Sequence, residues 1–159
     1  QLGGPPAETG TWSFFRGINI NGPALVIDGN PWAGDDAADF VCKDAAIDAP
    51  HVPLRPSTDD SRARMIHSFR WGTAPRVVVT NVPAGTYAVY AYAWEDNNPE
   101  NFTISLNGQV VQRNYHSGVT GEWHRLGPWS VDVGAGSLEL TSYGGAANLS
   151  GLEVWRRTP

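Results

Sequence analysis

The sequence is short of cysteine, of charge and of helical runs, and each shortage excludes something. Cys42 is the single cysteine in 159 residues, so an internal disulfide and a thiolate zinc site are both ruled out. Charged residues make up 17 %, below the usual quarter, while Gly and Pro are plentiful, which suits many short strands and turns. The basic residues are ten arginines and one lysine, Lys43, a bias of GC-rich bacterial genomes. A formal net charge of −5, with no arginine cluster interleaved with aromatics, argues against nucleic acid as a partner. No apolar run approaches membrane length, so no membrane partner is expected either. No signal peptide is visible, and "QLGGPPAETG" reads as a linker or a trimmed start. The expected division is a linker over 1–11 and a single domain over 12–157, monomeric and large enough to bury its own core.

Helical periodicity is weak. "DDAADFVCKDAA" is the best helix candidate and fits an irregular loop equally well, while "STDDSRARMI" has room for one helical turn at most. Strand signals are far stronger. "GTYAVYAYAW" sets Tyr87, Val89, Ala91 and Ala93 against Ala88, Tyr90, Tyr92 and Trp94; both sets are apolar, which predicts a strand covered on both faces. In "NFTISLNGQVV", Phe102, Ile104 and Leu106 share one face, and Asn107-Gly108 supplies the positive φ values of a type I′ hairpin turn. About eight such strands, punctuated by Gly and Pro, predict an all-β antiparallel sandwich.

Chemistry is sparser. None of the four histidines (His51, His67, His116, His124) stands in a metal-ligand pair, and there is no G-x-S-x-G elbow. Cys42, in "DFVCKD", reads as a buried, inert thiol. Adjacent acids such as Glu95 and Asp96 point to opposite faces of a strand, so sequence alone does not converge two carboxylates on one bond. No cofactor is expected. A structural calcium in the acidic loop "DGNPWAGDD" is left open, because the loop lacks EF-hand spacing and Asp35 and Asp36 could equally cap a turn.

Seven tryptophans are more than a core of this size needs. Trp12, Trp129 and Trp155 alternate with apolar strand residues and read as packing, and Trp123 is undecided. Trp94 runs directly into Glu95, Asp96, Asn97 and Asn98; Trp32 sits among Asp, Asn and Gly in a turn; Trp71 adjoins a Gly at a strand boundary. A sugar presents apolar C–H groups on one face and hydroxyls around its rim. A flat indole suits the first, and acids and amides suit the second. Asn148, in the Gly-rich "YGGAANLSG", would be a further amide partner or the head of an Asx-turn.

The ordered set of these segments resembles malectin-like domains. "FFRGINING-PALVIDGNPW" is similar to their opening strand and D-G turn, "MIHSFRWG" to the aromatic-Arg segment that follows, "VPAGTYAVYAYAWEDNNPENFTISLNGQVV" to their central strand, loop and hairpin, and "ANLSGLEVW" to their last strand. The resemblance runs from Phe14 to Trp155 and belongs with the galactose-binding-like jelly rolls. It implies a non-catalytic carbohydrate-binding domain that takes poly- or oligosaccharide through aromatics in loops at one end of the sandwich. Trp32, Trp94 and Asn148 match its positions, and His67 or Trp71 stands where the family often has Tyr. The segment from Asp35 to Met65 is longer and more charged than the pattern and would wall the site or meet a partner domain. The expected site is Trp32, His67, Trp71, Trp94, Glu95, Asp96, Asn97 and Asn148, in a secreted bacterial protein tethered to a polysaccharide-degrading enzyme. Two rivals remain: a structural or protein-interaction sandwich whose aromatics pack a neighbouring domain, and a small glycoside hydrolase or lyase using Asp28, Glu95 or Asp96.

Overall fold

The computed structural model describes residues 3–7 and 10–159. In chain order the elements are β1 (Trp12–Asn19), β2 (Leu25–Ile27), β3 (Asn30–Trp32), β4 (Phe40–Val41), β5 (Ala45–Asp48), α1 (Asp60–His67), β6 (Ser68–Gly72), β7 (Arg76–Val82), β8 (Gly85–Trp94), β9 (Asn101–Leu106), β10 (Gln109–His116), β11 (Trp123–Val133), β12 (Gly136–Tyr143) and β13 (Ala147–Arg157). Two antiparallel sheets pack as a jelly-roll sandwich. The first has the order β11-β8-β13-β6-β5, and the second β10-β9-β12-β7-β4. β13 is long enough to take two partners on one side: β6 along Ala147–Leu149 and β1 along Gly151–Arg157.

The alternation in β8 divides as its sequence predicts. Tyr87, Val89, Ala91 and Ala93 face the inter-sheet core with Ile104, Leu106, Leu138 and Leu140. Ala88, Tyr90, Tyr92 and Trp94 face outward, yet each is 5 % exposed or less. Ala88 and Tyr90 pack with Trp12 and Trp155, and a second apolar cluster covers Tyr92 and Trp94. It is built from Met65 and Ile66 of α1, Ile27 and Trp32 of the β2–β3 ribbon, and Val52, packed on Phe69, Tyr92, Trp94 and Trp123. The β9–β10 hairpin turns through Asn107 (φ 47°) and Gly108 (φ 81°), as a type I′ turn requires.

Two segments differ from their sequence reading. "DDAADFVCKDAA" is not a helix: Phe40 and Val41 pair with Val79 and Val78 as β4, and Ala45–Asp48 pairs with β6 as β5. Apolar residues so few and so close in the chain gain more from a sheet edge than from an isolated helical face. "STDDSRARMI" forms two turns rather than one. Asp59 caps α1 by accepting from the Arg62 N–H at 3.1 Å, which is worth about 1 kcal/mol. The Arg62 guanidinium then ties the helix down, pairing with Asp28 and Asp59 and donating to the Tyr92 hydroxyl. Within the stretch read as a linker, Pro6 is buried and the Gly4 carbonyl accepts from Arg125 at 2.8 Å; residues 1, 2, 8 and 9 lie outside the described residues.

Candidate functional site

The first sheet leaves its outer face open at the β5–β6–β13 end. Ala45, Trp71 and Asn148 are register partners across these three strands, so they share one face; Ile47 and Phe69 form the next row. Trp71 is 39 % exposed and Ile47 38 %. The loop that leaves β8 stands beside this floor, and the two enclose a cleft of about 260 Å³. Its lining is Ile47, Phe69, Trp71, Glu95, Asp96, Asn97, Asn98, Glu100, Ala146 and Asn148.

Hydrogen bonds fix the loop wall. The buried Glu95 carboxylate accepts from the Ser117 hydroxyl at 2.7 Å and the Asn97 N–H at 3.0 Å. Ser117 Oγ also accepts from the Glu100 N–H at 2.7 Å, and the Ser117 N–H donates to the Glu100 carbonyl at 2.9 Å. One serine thereby holds both ends of the loop. Glu100 Oε1 accepts from the Ala146 N–H at 2.8 Å, and Asp96 Oδ1 from Asn148 Nδ2 at 2.7 Å, which links the wall to β13. Burial pushes the Glu95 carboxyl above its ordinary range, and the negative charges of Asp96 and Glu100 add to the rise against its two hydrogen bonds.

Trp71, Glu95, Asp96, Asn97 and Asn148 of the expected site come together here. Three others do not. Trp94 is 1 % exposed, wedged edge-on between His67 and Phe69 at ring separations of 5.6 and 5.4 Å, and its buried Nε1 has no hydrogen-bond partner. It is the last outward residue of β8, and the helical cover extends over it. Trp32 is 3 % exposed because Gly17 and Gly151 admit its ring against β1 and β13; a Cβ at Gly17 would lie 2.4 Å from the indole. His67 Nε2 is bound to the Val52 carbonyl at 2.7 Å and lines a separate hollow with Val52, Leu54 and Thr58. Asn148 heads no Asx-turn; it lies within β13. Ile47, Phe69, Glu100 and Ser117 were not anticipated. Ser117 lies 22 residues from the carboxylate it holds, and nothing local in sequence marks it. Of the acids named for a hydrolase or lyase, Glu95 and Asp96 line this cleft and Asp28 does not.

A larger groove, about 840 Å³, runs along β11 beside Tyr90, Gln112, Trp123, His124 and Arg125. Its central polar groups are already engaged. Arg125 lies over the Tyr90 ring and pairs with Glu153 at 2.6 Å, and His124 meets the Tyr115 hydroxyl at 2.6 Å. Tyr90 and Trp123 are buried, so the groove presents no open aromatic plane. Among the described residues no group of acids, histidines and cysteine is arranged to hold a metal ion.

No family profile matches the chain, and no curated protein sequence does. Solved structures do. The ANX2 ectodomain of Arabidopsis thaliana superposes with a TM-score of 0.72 at 13 % identity, over 93 % of this chain and 51 % of that one. The fold is malectin-like. The ANX1 ectodomain from the same plant gives 0.72 at 12 % identity, over 93 % and 49 %. A Bacteroides uniformis β-glucuronidase 2, solved covalently bound to cyclophellitol-6-carboxylate aziridine, gives 0.71 at 16 % identity, over 91 % of this chain and 18 % of the enzyme. The chain therefore spans about half of the ectodomains and a smaller part of the glucuronidase. No helix among the described residues is long and apolar enough to cross a membrane.

Proposed function

We propose that this malectin-like domain is a non-catalytic carbohydrate-binding module, secreted and accessory to a glycan-degrading enzyme, and that it binds sugar in the Trp71 cleft. The observation that carries the reading is the half-exposed Trp71 indole facing a fixed wall of amides and carboxylates. The indole and Ile47 offer an apolar platform to a sugar face. Asp96, Asn97, Asn98 and Asn148 offer donors and acceptors to its hydroxyls, and the buried Glu95 positions them from beneath. The domain's likeness to part of a β-glucuronidase supports the accessory role.

A cleft of about 260 Å³ suits a single ring or a chain end, with affinity on the order of micromolar to millimolar. The test is a polysaccharide array followed by calorimetry on the isolated domain. Trp71→Ala is expected to abolish each hit while leaving the melting temperature close to that of the parent. Hits that survive Trp71→Ala overturn the site. Silence across plant, algal and microbial glycans overturns the function, in favour of the protein-interaction sandwich that the receptor-kinase ectodomains support.

A further inference from the structure

The charge balance of the cleft is one-sided. Of its ten lining residues three are carboxylates, three are amides, and none is Arg, Lys or His. The nearest base in sequence, Arg70, is engaged elsewhere: it donates to the carbonyls of Ile20 and Asp44 and lies 3.9 Å from Asp35. The three acids thus share the cleft with no basic residue in its lining; burial foremost, and to a lesser extent the charges of Asp96 and Glu100, raises the Glu95 carboxyl. They are not arranged to enclose a bare metal ion. The matching cation is one carried on a larger body that can also rest on Trp71.

Building on the proposed sugar site, we propose that the cleft selects sugars with a free amine, a 2-amino-2-deoxyhexose whose ammonium meets Asp96 and Glu100 while its ring lies on the Trp71 indole. An ammonium donates three hydrogen bonds. Asp96 Oδ1 and Glu100 Oε1 are held by Asn148 and Ala146, which orients both carboxylates before a ligand arrives. Uronates and sulfated sugars would bring a like charge to the same wall and are rejected.

The experiment titrates the domain with three β-1,4-linked oligomers of equal length: deacetylated chitosan, N-acetylated chitin and cellulose fragments, which carry ammonium, acetamide and hydroxyl at the same carbon. Chitosan oligomers are expected to bind on the order of tenfold more tightly than either neutral series, the size expected of two partly exposed charge pairs. Added salt should shrink that advantage. The double substitution Asp96→Asn with Glu100→Gln keeps the oxygens that accept from Asn148 and Ala146 and removes both charges; it should bring chitosan binding down to the level of the neutral series measured on the same variant. Equal or tighter binding of a neutral series, sensitive to Trp71→Ala, overturns the amine selectivity and leaves the sugar site standing. A chitosan advantage that persists in the double variant overturns the assignment to these carboxylates. If none of the three series binds, the amine selectivity is overturned, and the wider glycan array decides the sugar site separately.

Discussion

On the outer face of the first sheet, two contrasting regions meet at Phe69. On one side Tyr92, Trp94 and Trp123 lie under α1 and the β2–β3 ribbon and are buried together with the ribbon's own Trp32, all 3 % exposed or less. On the other, Trp71 and Ile47 lie open beside the loop of Glu95 to Glu100. Both regions are aromatic and both border acids. In the covered half the acids Asp28 and Asp59 are neutralised by Arg62, and the aromatics serve stability. In the open half no Arg, Lys or His among the described residues lines the cleft with the carboxylates, and the aromatic stays exposed. An aromatic next to an acid is therefore a candidate for recognition only where no part of the same chain covers the ring.

The comparison breaks if truncation affects the two halves alike. Trp94→Ala opens a cavity beneath α1 and should cost about 3–5 kcal/mol, whereas Trp71→Ala at the open end should cost under about 1 kcal/mol; paired denaturant melts check both. Gly17→Ala is next in size. Its Cβ would sit 2.4 Å from the Trp32 indole, so the ring must move, at a cost of about 1–3 kcal/mol, with the near-UV circular dichroism of the tryptophans altered.

The smallest effect is in pH dependence, where the two halves should differ in sign. At Asp59 burial opposes ionisation, but the Arg62 N–H, the Thr58 hydroxyl and the Arg62 guanidinium outweigh it and hold the carboxyl below its usual 3.8. Its contribution to stability is present above that usual value and lost as pH falls through the lower folded one. At Glu95 the folded carboxyl lies above the usual 4.5, so the folded state binds more protons than the unfolded chain in that window. Stability there falls as pH rises from 4.5 through the raised value. Comparing pH–stability curves, Asp59→Asn should flatten the acid limb, and Glu95→Gln should remove the decline above it. Matching changes in the two variants would show that the halves are not electrostatically distinct.

Much of the fold was legible because it rests on local rules. The period-two pattern of β8, the Asn107-Gly108 turn, and the placement of Trp12, Trp129 and Trp155 in packing positions all follow from residues adjacent in the chain. The helix was underestimated because its strongest anchor, Arg62, finds Asp28 and Tyr92 far away in sequence. The site was legible in part for the same reason. "WEDNNPE" marked a polar loop beside aromatic strands, but which tryptophan it would face depended on what covers each ring. Trp94 is contiguous with the loop and buried; Trp71 is distant in sequence and brought to it by its pairing with Asn148.

By itself, then, the sequence determined a disulfide-free, acidic β-sandwich with a polar, acid-rich loop at the end of its central strand. Alternation and turn chemistry act over a few residues and need no knowledge of the rest of the chain. Tertiary structure alone decided the exposure of Trp71, the burial of Trp32 and Trp94, and the hold of Ser117 on Glu95 and Glu100. Exposure and charge balance are properties of everything packed around a side chain, and here those neighbours come from β5, β6, β13 and the loop after β8.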